Sequence, residues 1–266
     1  MPENDDLTLL IDAARRAGEV ATQYSGATVG WRDKEDGAGP VTEADLAVNR
    51  MLEDRLRAAR PDYGWLSEET EDDLQRLDLA RVFIVDPIDG TRSFMEGSGT
   101  WAHALAVAEH GVVKAAVVYL PMRGLLYAAA AGRGATLNDT PIRVSDRARL
   151  TGANILGAKP NFRPEFWRDG NVPDVTRSYR PSLAYRLSVV AEGRFDAMLT
   201  LRPSWEWDIA AGDLILQEAG ARTSNREAGP LLFNNAIPKV NGVVAANPAL
   251  HREIAAALVR GLPFSA

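Results

Sequence analysis

The stretch Arg81-Val82-Phe83-Ile84-Val85-Asp86-Pro87-Ile88-Asp89-Gly90-Thr91 decides the reading of this 266-residue chain. Its first five residues form a short β-branched run, the pattern of a buried strand. Pro87 has no N–H to give to a ladder, so the strand is expected to stop at Asp86-Pro87. In sheets layered with helices, ligands sit at strand ends. Asp86 would then stand at the strand's mouth, with Asp89 returning on the same loop. Two carboxylates within four residues, with a backbone carbonyl between them, suit a hard divalent cation. Gly90-Thr91 adds approachable backbone N–H groups where a short helix could open, a seat for a phosphate. Taken alone, the stretch reads equally as a turn whose aspartates cap backbone groups.

Helical spacing governs the residues upstream. Leu9, Leu10, Ala13, Ala14, Ala17 and Val20 mark an amphipathic helix from Leu7 to about Tyr24. A loop follows from Ser25 to Val41, and Thr42-Glu43-Ala44-Asp45 has the form of a capping box opening a second helix that Pro61 ends. Downstream, Trp101–Glu109, Val112–Leu120 and Leu125–Ala129 read as a three-strand meander, with turns at His110-Gly111 and Met122-Arg123-Gly124. Another turn falls at Leu137–Pro141. The rest alternates: helix Ser182–Glu192, strand Phe195–Leu201, helix Asp208–Ala219, strand Gly242–Ala246 and a last helix Pro248–Val259 opened by Asn247. Sheets layered with helices are the expected architecture, in two halves, 1–142 and 143–266, forming one compact unit.

Composition narrows the chemistry. With no cysteine and three histidines, thiolate sites and histidine cages are out of reach, and catalysis must rest on carboxylates, hydroxyls, lysine and arginine. The absence of cysteine fits a cytoplasmic protein. A formal charge of −6 argues against a nucleic acid polymer as partner. No apolar run is long enough for stable membrane insertion, and the acidic start Met1-Pro2-Glu3-Asn4-Asp5-Asp6 is unlike an export signal.

Several weak signals line up along the chain. They are Lys34, then Val41-Thr42-Glu43-Ala44-Asp45, then Ser67-Glu68-Glu69, then Val85–Thr91, then Trp207-Asp208-Ile209-Ala210-Ala211-Gly212, closed by Glu218-Ala219-Gly220. Singly, Asp208 is a helix N-cap, Asp45 a capping-box acid, Glu68-Glu69 a solvated pair and Lys34 a loop lysine. Together, over roughly Leu9 to Leu258, they resemble the inositol monophosphatase superfamily of magnesium-dependent, lithium-sensitive phosphatases. That resemblance implies an α/β (α+β) fold, a five-layered αβαβα sandwich, and commonly a homodimer. It implies a first Mg²⁺ on Glu69, Asp86 and the Ile88 carbonyl, and a second on Asp86, Asp89 and Asp208. A third, weaker ion would sit on Glu69 through waters, giving two to three per site, with inhibition by Li⁺. Thr91, hydrogen-bonded to Asp45, would orient the attacking water. The Gly90 and Thr91 N–H groups would hold the phosphate, with Lys34 nearby. Glu69 rather than Glu68 is taken as the ligand by alignment to the family's Glu-Glu pair.

The substrate reading rests on fewer residues. Inositol-1-phosphate phosphatases carry a Glu shortly before Trp-Asp, whereas Met198–Trp205 contains no acid. Leu201-Arg202-Pro203 followed by Glu206-Trp207-Asp208 is instead similar to the 3'(2'),5'-bisphosphate nucleotidases. Arg202 and Arg186 suit a second phosphate. The expected small phosphorylated metabolite is therefore adenosine 3',5'-bisphosphate, with inositol-1-phosphate next and histidinol phosphate third. A silent metal-binding regulatory homologue is the non-enzyme alternative, disfavoured because all five carboxylates and Thr91 are present.

Overall fold

The computed structural model describes residues 5–24, 30–33 and 39–261. Helix α1 (Asp6–Ala21) and helix α2 (Glu43–Ala59) flank two short antiparallel strands, β1 (Trp31–Asp33) and β2 (Pro40–Thr42). These strands lie where a loop was expected. The capping box is present: Asp45 N–H donates to Thr42 Oγ1, and Thr42 N–H donates back to the Asp45 carboxylate.

A seven-stranded sheet follows in chain order: β3 (Gly64–Ser67), β4 (Arg81–Asp89), β5 (Ala102–Glu109), β6 (Val112–Leu120), β7 (Leu125–Ala130), β8 (Ala135–Leu137) and β9 (Thr140–Pro141). Helix α3 (Thr91–Met95) interrupts it after β4. Only the β3–β4 pair is parallel. The second sheet contains β10 (Asn154–Gly157), β11 (Thr176–Ser178), β12 (Ala197–Thr200), β14 (Arg222–Ser224) and β16 (Val243–Ala246), in the order β11-β10-β12-β16-β14. Helices α4 (Leu183–Ala191), α5 (Ala210–Glu218) and α6 (Pro248–Ala257) are threaded among these strands, and β13 (Ser204–Trp205) pairs with β15 (Lys239–Val240). Among the described residues no helix is long and apolar enough to cross a membrane.

The two-residue period of β4 builds the layers. Phe83 and Val85 join Leu10, Ala14, Val48 and Leu52 of α1 and α2 in one apolar cluster. Val82 and Ile84 point the other way, into a second cluster with Leu187 of α4 and Ile215 of α5. That cluster also takes Met198 and Ala245 from the second sheet. The sheet's opposite side, with Ile155, Leu199 and Val244, packs on Leu250 and Ile254 of α6. Helix, sheet, helix, sheet and helix therefore alternate, as expected. Gly212 explains the tight central helix layer, since a Cβ there would lie 2.5 Å from Leu187 Cβ. No larger residue fits without separating α4 from α5.

Two expected boundaries are corrected. Strand β4 does not stop at Asp86-Pro87 but runs to Asp89, with a register shift between Asp86 and Asp89 against β5. The irregularity leaves no ladder bond for Pro87 to break. Helix α5 starts at Ala210 rather than Asp208, and its N-cap Ile209 supplies no side-chain cap bond. Asp208 is thus not spent on capping.

On α5, Asp213 is buried, with Gln217 Nε2 donating to one carboxylate oxygen and the other oxygen without a partner. Burial pushes its carboxyl up to about 6. A raised carboxyl contributes stability below its unfolded value and loses it as pH climbs through the folded one. Asp213→Asn is therefore expected to match wild type at about pH 4 and to exceed it by up to about 3 kcal/mol at about pH 8 in urea unfolding. A gain that did not grow with pH would contradict this reading of Asp213.

Candidate metal and phosphate site

Strand β4 carries Asp86 and Asp89 to the edge of the central helix layer, and the turn before α5 brings Asp208 to them. One carboxylate oxygen of each lies within 4.8 Å of the others. Asp86 is 1 % exposed and its Oδ1 meets no hydrogen-bond donor. Burial raises the carboxyl of Asp86 well above the ordinary range, and the charges of Glu68, Asp89, Asp208 and Asp45 push the same way. Asp208 is raised for like reasons, by burial and then by Asp89 and Glu68, while Arg202 pulls it down. Converging carboxylate oxygens, those of Asp86 and Asp89 on buried side chains, with an unsatisfied acceptor suit a hard divalent cation. The residues present fit Mg²⁺.

Asp89 is fixed from the far side of the cluster. Its Oδ2 accepts from Ser182 Oγ at 2.7 Å and from the Ala184 N–H at 2.6 Å, at the N-terminus of α4. These bonds favour the carboxylate, although burial still sets the net shift upward. One oxygen is thus committed to protein, which orients the other. His103 steadies the same segment. Its Nδ1 bonds the Pro87 carbonyl, and burial lowers the imidazole to about 4. A neutral ring bonded to a carbonyl must carry its proton on Nδ1.

The β3–β4 pairing places the adjacent acids. In the parallel β3–β4 register Ser67 lies beside Val85, and Glu68 N–H donates to the Val85 carbonyl. Continuing that register by one residue sets Glu68 beside Asp86. The charge of Glu68 acts on both Asp86 and Asp208. Thr91 opens α3, and its Oγ1 lies 3.3 Å from both Asp45 Oδ1 and the Ile88 carbonyl, either of which can accept its one hydrogen. Asp45 is fully buried, with Oδ2 held by Thr42. Gly90 has φ +96°, a conformation that side chains rarely tolerate. Lys34 lies outside the described residues.

Arg186 and Arg202 share a cavity of about 350 Å³ whose wall also includes Asn161, Tyr179, Thr200 and Arg226. Among the described residues no carboxylate lines it. Arg186 is 8 % exposed, donates to the Arg180 and Pro181 carbonyls, and stacks on Tyr179 at 4.3 Å. It makes no ion pair among the described residues. Burial lowers its guanidinium, while Tyr179, Asp89 and Asp208 counteract that. The sequence reading missed Ser182, His103 and Arg226, whose partners lie far off in the chain. Glu206, the acid nearest Asp208 in sequence, points away into protein: it is fully buried and bonded to Asn234 and Asn235.

Comparison with known proteins gives the same chemistry a family setting. A family model described as the inositol monophosphatase family matches residues 3–262. An inositol-1-monophosphatase of Rhizobium meliloti (strain 1021) is 34% identical over 84% of this chain and 86% of its own. A histidinol-phosphatase of Mycobacterium tuberculosis is also 34% identical, over 97% of this chain and 99% of its own. The crystal structure of extragenic suppressor protein suhB from Bartonella henselae matches with a TM-score of 0.80 at 30% identity, over 96% of this chain and 98% of that one. None of these three is named as a bisphosphate nucleotidase.

Removing the Ser182 hydroxyl tests how Asp89 is held. Ser182→Ala is expected to weaken Mg²⁺ binding roughly tenfold, read by calorimetric titration. Unchanged affinity in a folded variant would mean that the α4 backbone alone orients Asp89.

Proposed function

The chain belongs to the inositol monophosphatase family of phosphoric monoester hydrolases, and we propose that it hydrolyses a small phosphate ester carrying a second anionic group, adenosine 3',5'-bisphosphate. The observation that carries the hydrolytic part is the convergence of Asp86, Asp89 and Asp208 on one point at the end of β4. These three, with Glu68 rather than Glu69 and with the Ile88 carbonyl, would hold Mg²⁺. Bound there, Mg²⁺ supplies Lewis-acid stabilisation of phosphoryl charge and acidifies water.

The chain's own residues orient and move the proton. The Thr91 hydroxyl gives its hydrogen to Asp45, which leaves its lone pairs free to accept from the attacking water. Asp45 is the buried end of that path, its second oxygen already engaged by Thr42. Backbone N–H groups of Gly90 and Thr91 would hold the phosphate. No covalent intermediate is required, so the absence of cysteine costs the reaction nothing.

Arg186 supports the second anionic group. A buried cation bonded only to neutral carbonyls is costly, and an incoming phosphate would compensate it. Arg202 adds charge to the same cavity, and Arg226, paired with Glu227 at 3.4 Å, lines it. Histidinol phosphate carries an ammonium group that these arginines repel. The second reading, inositol-1-phosphate, is favoured by the name of the Rhizobium meliloti relative. Against it, a polyol needs acceptors for its hydroxyls, and Glu206 is committed to Asn234 and Asn235. A cytoplasmic homodimer completes the proposal.

Phosphate release in saturating Mg²⁺ compares the three esters directly. The expected order of kcat/KM is bisphosphate, then inositol-1-phosphate, then histidinol phosphate, with Asp208→Asn inactive on all. Arg186→Ala and the exposed Arg202→Ala should each lower kcat/KM for the bisphosphate roughly 10- to 100-fold and spare inositol-1-phosphate. Preference for inositol-1-phosphate, or equal losses on both, would remove the second-phosphate role.

A further inference from the structure

Asp208 has little regular structure to hold it. Strand β13 ends at Trp205, α5 begins at Ala210, and the turn between them is closed by the Glu206 carbonyl, which accepts from Ile209 N–H at 3.1 Å and Ala210 N–H at 2.8 Å. Glu206 N–H donates in turn to the Pro238 carbonyl at 2.9 Å. The direction of Asp208 therefore depends on what fixes Glu206.

The Glu206 side chain is fixed by three donors. Oε2 accepts from the Asn234 N–H at 2.6 Å, and Oε1 accepts from the Asn235 N–H at 3.0 Å and from Asn235 Nδ2 at 2.6 Å. Asn234 sits at φ +62°, a left-handed conformation that asparagine enters more readily than most residues. That conformation turns two successive N–H groups onto one carboxylate, a small anion-binding nest. The nest is anchored in turn. Arg76, 2 % exposed, donates to Asn234 Oδ1 at 2.6 Å and to the Asn235 carbonyl at 2.9 Å, and its own carbonyl accepts from Asn234 Nδ2 at 3.2 Å. Both carboxylate oxygens of Asp72 hold the Arg76 guanidinium. Arg76 lies in the 3-10 turn Leu74–Asp78, shortly after Glu68. A continuous run of hydrogen bonds thus links the segment beyond Glu68 with the turn that carries Asp208.

We propose that Glu206, clamped by Asn234 and Asn235 and through them by Arg76, is a positioning residue that sets Asp208 for metal binding. The inference rests on the reading of Asp208 as a Mg²⁺ ligand. A carboxylate is required at this place because every partner of its two oxygens is a donor. Glutamine has nearly the same shape but would turn an NH₂ against an N–H, losing a bond and opposing two donors. The turn would keep its backbone bonds while Asp208 lost its fixed direction.

The test uses the full chain with Glu206→Gln, Asn235→Ala and Asp208→Asn, each checked for folding by circular dichroism and thermal unfolding. Mg²⁺ is titrated calorimetrically, and phosphate release is measured at limiting and at saturating Mg²⁺. Glu206→Gln is expected to raise the half-saturating Mg²⁺ roughly 10- to 100-fold, with kcat largely recovered at saturation. Asn235→Ala, which removes one donor of three, should shift it less and in the same direction. A folded Glu206→Gln with wild-type Mg²⁺ affinity overturns the inference while the metal site stands, provided that Asp208→Asn abolishes binding. If Glu206→Gln does not fold, unchanged affinity in Asn235→Ala overturns it instead. Wild-type protein that binds no Mg²⁺ overturns the metal reading and this inference together.

Discussion

The structure depends on gathering like charges at a largely buried point. Asp86, Asp89 and Asp208 converge within 4.8 Å, with the charge of Glu68 acting on two of them. Full ionisation of such a group is prohibitive without a counter-charge, and a divalent cation would supply it. A bound metal would invert the local sign, so that an acidic chain could receive a phosphate ester its own charge would otherwise repel. The net charge of −6 bears on long polyanions rather than on this cleft.

Holding the acids in place engages the seven-stranded sheet and both central helices. The irregular end of β4 spaces Asp86 from Asp89, and His103 pins the carbonyl between them. The start of α4 takes one oxygen of Asp89. The turn before α5 delivers Asp208, and Gly212 lets α5 lie close enough to α4 for both deliveries to meet. Each device is modest in energy. They act together because the acids they hold would otherwise move apart.

Local patterns were legible in the sequence. The capping box at Thr42 and Asp45, the meander, and the Asp86–Thr91 motif are written in neighbouring residues, so composition and spacing expose them. The resemblance then placed Asp208 with Asp86 and Asp89, which no local rule could do, since alone it reads as a helix cap. Features set by pairing across the chain stayed hidden. Setting Glu68 beside Asp86 needs the β3–β4 register, and the four-residue β3 carries too little pattern to announce itself. Ser182 reaches Asp89 across 93 positions and Arg76 reaches Asn234 across 158, separations at which periodicity carries no information. Pro87 misled because a proline normally ends a strand, and here it falls where the ladder is already broken.

The most direct measurement is anomalous diffraction from crystals of the full chain grown with Mn²⁺ in place of Mg²⁺. The account predicts strong anomalous density bounded by Asp86, Asp89 and Asp208, with Glu68 rather than Glu69 turned toward the metal, and its loss in Asp208→Asn. Density elsewhere, or none at saturating Mn²⁺, would contradict it.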